Sequence, residues 1–189
     1  VNSGIEFSEG ADQRLIDMKD NIERTQTISK LENDLGAVQG QLATLSDFKQ
    51  REAAIVELAG LKPNSELLAA LSTQFKPFID AELESIQKDG TRETAEALAS
   101  DFGDLMNGLQ LSKELTQIKL AKLTGEARKQ KATELASVST SNIETALADA
   151  QIDDTQWETV LLKDIQQLGS LVSEDESISA SLDQYRKQI

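Results

Sequence analysis

"ISKLENDLGAVQGQLATL", residues 28–45, places Ile28, Leu31, Leu35, Val38, Leu42 and Leu45 at alternating spacings of three and four. That is the repeat of a seam buried between helices. Gly36 and Gly40 lie inside the same repeat, and each costs a helix about 1 kcal/mol against alanine. With the six apolar residues inward, the residues facing directly away from the core are Ser29, Asn33, Gly36, Ala37, Gly40, Ala43 and Thr44. A solvated helix face normally carries Lys and Glu, whereas this one is small and almost uncharged. Small residues four apart let a second helix approach closely. The stretch therefore predicts an isologous homodimer built on this face, with the alternative that the glycines merely loosen a surface helix.

The rest of the chain has the composition of a helical protein. It has 189 residues, two prolines and few aromatic residues, and Ala, Leu, Glu, Gln, Lys, Ser and Thr dominate. Thirty-three acidic against nineteen basic residues give a net charge of -14, which repels phosphate backbones and excludes nucleic acid as a partner. Cysteine and histidine are absent. Disulfides, thiol nucleophiles, Ser-His-Asp triads, His- or Cys-ligated zinc and E-x-x-H metal sites are thereby excluded. No Gly-rich phosphate loop is present, and "DFGDLMNG" at 101–108 lacks the alternating oxygen ligands of a calcium loop. The expectation is a non-enzyme without metal or cofactor. The longest apolar run, "LLAAL" at 67–71, is far shorter than a membrane span.

Turn and capping residues coincide with a loss of apolar phase at "TLSDF" (44–48), "KDGT" (88–91) and "SVSTSNIE" (137–144). Cutting there predicts one all-α domain over 1–189, an elongated antiparallel up-down four-helix bundle. Its stripes are Leu15, Met18, Ile22 and Thr25 leading into Ile28; Leu68, Leu71, Phe75 and Phe78; Leu98, Phe102, Leu105 and Leu109; and Leu161, Ile165, Leu168, Val172, Ile178, Leu182, Tyr185 and Ile189. Pro63 and Pro77 should kink or break the second segment. "DAQIDDTQW" at 149–157, with Thr155 and Glu158 at capping-box spacing, should restart the fourth. These interruptions permit an alternative: two long helices, 1–60 and 91–150, with two short hairpins forming stacked sub-bundles.

Counted from the turns, the Pro63 kink, Gly125 and the Asp153–Asp154 break fall at one height, roughly 20–24 Å along their segments. Irregularities at one level of a bundle open a cavity that regular seams close. Lys30, Lys62, Asn64, Lys122, Arg128, Asp154 and Trp157 lie near that level and form the candidate site for a small polar ligand. Trp157, the one tryptophan, reads as a wall of that pocket or, by preference, as a cap on the core.

The cysteine-free Ala/Leu/Gln/Ser/Thr-rich chain, its four matched segments, and ends at "VNSGIEFSEG" and "ISASLDQYRKQI" that look cut in mid-pattern resemble the extracytoplasmic sensor of a bacterial methyl-accepting chemotaxis receptor or a related sensor histidine kinase. The resemblance rests on architecture and composition over the whole chain. It implies a periplasmic homodimer that senses a small molecule, with flanking helices anchoring the full-length protein in the inner membrane, and signalling by a shift of the last helix. The stacked layout resembles the bimodular helical sensors of the same receptors. The reading from another class is a structural or partner-binding helical bundle.

Overall fold

The structure, a computed structural model, describes residues 9–148 and 161–188. Every regular element among them is a helix. Helix α1 (Glu9–Val38) passes through a 3-10 turn (Gln39–Gln41) to α2 (Leu45–Leu61). Then follow α3 (Glu66–Asp89), α4 (Arg92–Gly108), α5 (Ser112–Leu120) and α6 (Gly125–Ala148). A π-helical segment (Leu161–Ile165) runs into α7 (Gln166–Leu171), and α8 (Ser177–Gln188) is the last helix.

The seam at 28–45 buries Leu31, Leu35 and Leu42, with Ile28 and Leu45 packed at its edge. The helix carrying it, however, stops at Val38, between the two glycines. Thr44 adopts an extended conformation (φ -139°, ψ 161°) so that its hydroxyl accepts from Asp47 N–H while the Asp47 carboxylate accepts from Thr44 N–H. This capping box fixes the start of α2 and prevents α1 from continuing. Two weak helix formers just ahead of it supply the break.

The turn expected at 88–91 forms as read: Gly90 ends α3, and Thr91 and Thr94 make a second capping box. Pro63 likewise separates α2 from α3. Pro77 does not break α3, because it lies on the exposed face, where the Thr73 carbonyl left without a donor is open to water, while Phe75 and Ile79 stay buried. The break expected at 137–144 is absent. There α6 is continuous, with Ser139, Ile143 and Ala146 on its buried face and the Thr145 hydroxyl donating back to Ser141 C=O (2.8 Å). The third expected segment is instead divided at 109–111 and 121–124, where Gln110 (φ 60°) and Lys122 (φ 61°) take left-handed conformations. The expected restart at 149–157 lies outside the described residues.

Two apolar cores result. The first gathers the end of α1 with α2, α3, α4 and one side of α5, around Phe48 and Phe75 with ring centroids 4.8 Å apart. The second joins Leu120 to α6, α7 and α8 around Leu135, Leu168, Ile178 and Tyr185. Helix α5 belongs to both, since Ile118 is in the first core and Leu120 in the second. The described residues thus form two apolar cores that share α5, and neither long helix of the stacked layout is intact. The stripe Leu15, Met18 and Ile22, expected in the core, is 64%, 61% and 54% exposed. At about 45 Å for 30 residues, α1 overhangs the 17-residue α2. Arg24 marks where it leaves, donating to Leu61 C=O at the end of α2 (2.9 Å).

Candidate ligand cleft between the Pro63 and Gln110 turns

Pro63 has no N–H to continue α2, so the chain turns over 62–65 and restarts at Ser65. Ser65 caps α3 in position but makes no side-chain cap, because its hydroxyl donates to Glu32 Oε1 (2.9 Å). Lys62 Nζ reaches the same oxygen (2.9 Å). Glu32 of α1 therefore clamps the turn. The Lys62 ammonium first, and the Ser65 hydroxyl second, hold its carboxyl below the usual glutamate range.

The opposing turn follows α4. Leu109 N–H donates to Leu105 C=O (2.9 Å) and Leu111 N–H to Met106 C=O (2.8 Å), closing the helix around the left-handed Gln110. That conformation is unfavourable for a residue with a Cβ. Here it carries the Gln110 amide to Pro63 C=O (2.7 Å), while Ser72 Oγ donates to Leu109 C=O (2.8 Å). The two turns are thereby bridged.

A hollow lies on either side of the bridge. One, of about 420 Å³, is bordered by Asn64, Ser65, Leu68, Ser72 and Gln110. The other, of about 230 Å³, has an apolar wall of Val56, Ala59 and Pro63 and a polar one of Asp104, Asn107 and Gln110, and Lys163 of the π-helical segment reaches into it. Beneath it the Asn107 Oδ1 is sealed from solvent and accepts no hydrogen bond among the described residues. The cleft offers donors, acceptors and one charge of each sign over an apolar floor. Such a surface suits a small polar ligand. No group of three His, Cys, Asp or Glu able to hold a metal ion occurs among the described residues.

The cleft contains only part of the set read from sequence. Asn64 lines it, while Lys62, the residue before Pro63, borders neither hollow and is paired to Glu32. Lys30 is exposed on α1 and borders neither hollow. Lys122 donates to Gln87 C=O (2.6 Å), about 30 Å up α3 from the Pro63 turn. Arg128 forms two hydrogen bonds to the Glu174 carboxylate (2.7 Å each), tying the start of α6 to the turn before α8. The common level fails because the counting assumed four unbroken segments of equal pitch. Asp154 and Trp157 lie outside the described residues. Gln110, Asn107 and Lys163 were missed: a left-handed glutamine has no sequence signature, and "LLKDI" offered only one lysine in an apolar run.

The other predicted surface is exposed as expected at Ser29, Asn33, Gly36, Ala37, Gly40, Ala43 and Thr44. It is not one helix face. Gly40 is in the 3-10 turn, and the Thr44 side chain is engaged in its capping box. A Cβ added at Gly36 or Gly40 meets nothing within 4 Å. No described helix is long and apolar enough to cross a membrane. The chain matches no protein-family model, no curated protein and no solved structure.

Proposed function

We propose that this chain is the extracytoplasmic sensor of a bacterial transmembrane receptor, of chemotaxis or histidine-kinase type, working as a periplasmic homodimer without enzymatic activity. The observation that carries the reading is the cleft at the Pro63–Gln110 bridge, where turns of the first sub-bundle meet the segment leading into the second. A small polar ligand held there touches both sub-bundles. If it binds one relative setting of the two better than another, it shifts the population between them. The last helix, α8, belongs to the second sub-bundle and conveys that shift toward the chain's end. The stacked cores favour the bimodular form of such sensors over a simple four-helix bundle.

A thermal-shift screen of amino acids, organic acids and amines tests this. A sensing ligand raises the Tm of the wild-type chain, and the rise is lost in Asn64→Ala and in Asn107→Ala, each compared with its own ligand-free Tm. A ligand whose effect survives both substitutions binds elsewhere and refutes the cleft. The exposed stripe Leu15, Met18 and Ile22 favours a second reading, a partner-binding helical bundle. Under it no compound raises the Tm, and Met18→Glu removes association with the partner helix.

A further inference from the structure

The smaller hollow of the cleft carries one charge of each sign. Asp104 stands on its α4 wall, and Lys163 of the π-helical segment borders it from another element. Among the described residues no ion pair joins the two. Asp104 lies one turn before the end of α4, close to the negative pole of the helix, which disfavours an acid there and favours a cation. At the end of α2, Arg24 meets the corresponding pole by donating to Leu61 C=O (2.9 Å). The last turn of α4 has no basic residue, and Lys62 is drawn away to Glu32 (2.9 Å). The α4 wall therefore presents a carboxylate and a helix pole together to whatever enters.

Asn107 borders the same hollow three residues on from Asp104, and its Oδ1 is the sealed acceptor without a donor. The backbone around it is otherwise paired, with Gln110 N–H on Asn107 C=O (3.1 Å) and Leu111 N–H on Met106 C=O (2.8 Å). An unfilled acceptor beside such a turn marks a place that another molecule completes. The facing wall of Val56, Ala59 and Pro63 is apolar, and a Cβ added at Gly60 between them meets nothing within 4 Å. At about 230 Å³ the hollow is smaller than the pockets that take drug-sized ligands, so its occupant is small.

We infer that this hollow binds the zwitterion of a single amino acid with a short apolar side chain. The ammonium sits on Asp104 at the end of α4, the carboxylate on Lys163, and the side chain against Val56, Ala59 and Pro63. The arrangement of charge selects this class. A simple amine would bring a second cation to Lys163, and a simple acid would bring a second carboxylate to Asp104 and the helix pole, whereas a zwitterion answers both. Lys163 also lies two residues before Ile165, which packs at the edge of the second core. A bound carboxylate thus touches the element that leads into that core. The inference rests on the reading of the cleft as a sensing site and names its ligand class.

Alanine, valine and leucine are titrated against the chain at constant ionic strength, following Tm and heat of binding. At least one gives a saturable rise in Tm, and the tightest is compared with its two halves, which for valine are isobutylamine, lacking the carboxylate, and isovalerate, lacking the ammonium. Each half binds at least about tenfold more weakly than the amino acid. Asp104→Asn and Lys163→Met each weaken amino-acid binding at least about tenfold, while Asp104→Asn leaves isovalerate binding no weaker than in the wild type. Gly60→Leu, whose side chain starts in open space at the apolar wall, keeps cooperative unfolding and loses the amino acid. Absence of saturable binding by all three amino acids, equal binding by either half, or wild-type affinity in either charge variant overturns the inference. The sensing cleft survives that failure where another compound, such as an organic acid, gives a rise in Tm that Asn64→Ala and Asn107→Ala abolish; a rise insensitive to both refutes the cleft as well.

Discussion

Gly90, extended at the end of α3 (φ -76°, ψ 172°), and Gly103, inside α4, are given opposite roles by their surroundings. At Gly90 an added Cβ would lie 2.6 Å from Ile86 Cα and 2.9 Å from Ile86 O, backbone atoms that cannot move aside. The carbonyl accepts Gly90 N–H (3.0 Å), so the turn from α3 to α4 is closed at the spot where a side chain would enter. At Gly103, inside α4, nothing lies within 4 Å. Gly90→Ala should therefore destabilise the chain by about 1–3 kcal/mol, as overpacking does. Gly103→Ala should stabilise it by about 0.5–1 kcal/mol by reducing the freedom of the unfolded chain. Urea unfolding of the two variants reads both signs, and a stabilised Gly90→Ala would show that the turn relaxes. Gly90 was legible in the sequence because glycine before a capping threonine marks a helix boundary. Gln110 and Lys122 were not, because their left-handed turns are stabilised by distant acceptors, Pro63 C=O and Gln87 C=O.

Helix α1 is where pattern and packing diverge. From Leu15 to Leu35 its apolar residues keep nearly one phase, yet only the second half is covered. Periodicity reports that a stripe exists and is silent on what covers it; the length of the neighbouring helix decides that. The glycines at 36 and 40 likewise mark the end of α1, a role the unbroken repeat of Leu42 and Leu45 concealed. Their open surroundings nevertheless make the proposed dimer face easy to test, since a Cβ added at either position meets nothing within 4 Å. The double substitution Gly36→Arg and Gly40→Arg should abolish self-association at high concentration and leave helical content and cooperative unfolding intact. Sedimentation equilibrium is the measurement. A wild-type chain that stays monomeric at millimolar concentration, or a double variant that associates equally well, rules out this face.

In the whole molecule, the division into two cores had one legible trace. Ile118 and Leu120 are both apolar and two apart, so on a helix they point about 200° away from each other. A helix buried on both sides fits between two bodies and not on the rim of one. Within each of those bodies an acid holds a joint: Glu174 meets Arg128 between α6 and the turn before α8, and Glu32 meets Lys62 and Ser65 between α1 and the Pro63 turn. The Arg128 guanidinium holds Glu174 below the ordinary 4.5 of glutamate, and Lys62 and then Ser65 do the same for Glu32. Because these values are lower in the folded chain, the unfolded chain binds more protons in that range. The stability they contribute is complete above about pH 4.5 and is lost as pH falls through the depressed folded values. A second effect runs the other way. Between neutral pH and pH 5 partial protonation of other carboxylates reduces the self-repulsion of a chain with net charge -14. Stability at low salt should therefore rise modestly from pH 7 to about pH 5 and fall steeply below about pH 4.5. Glu174→Gln should flatten the acid fall while lowering stability at pH 7, because the neutral amide no longer balances Arg128. Equilibrium urea unfolding across this range checks both limbs, and an unchanged acid slope in Glu174→Gln would mean that the Arg128 pair does not hold the second core's turn.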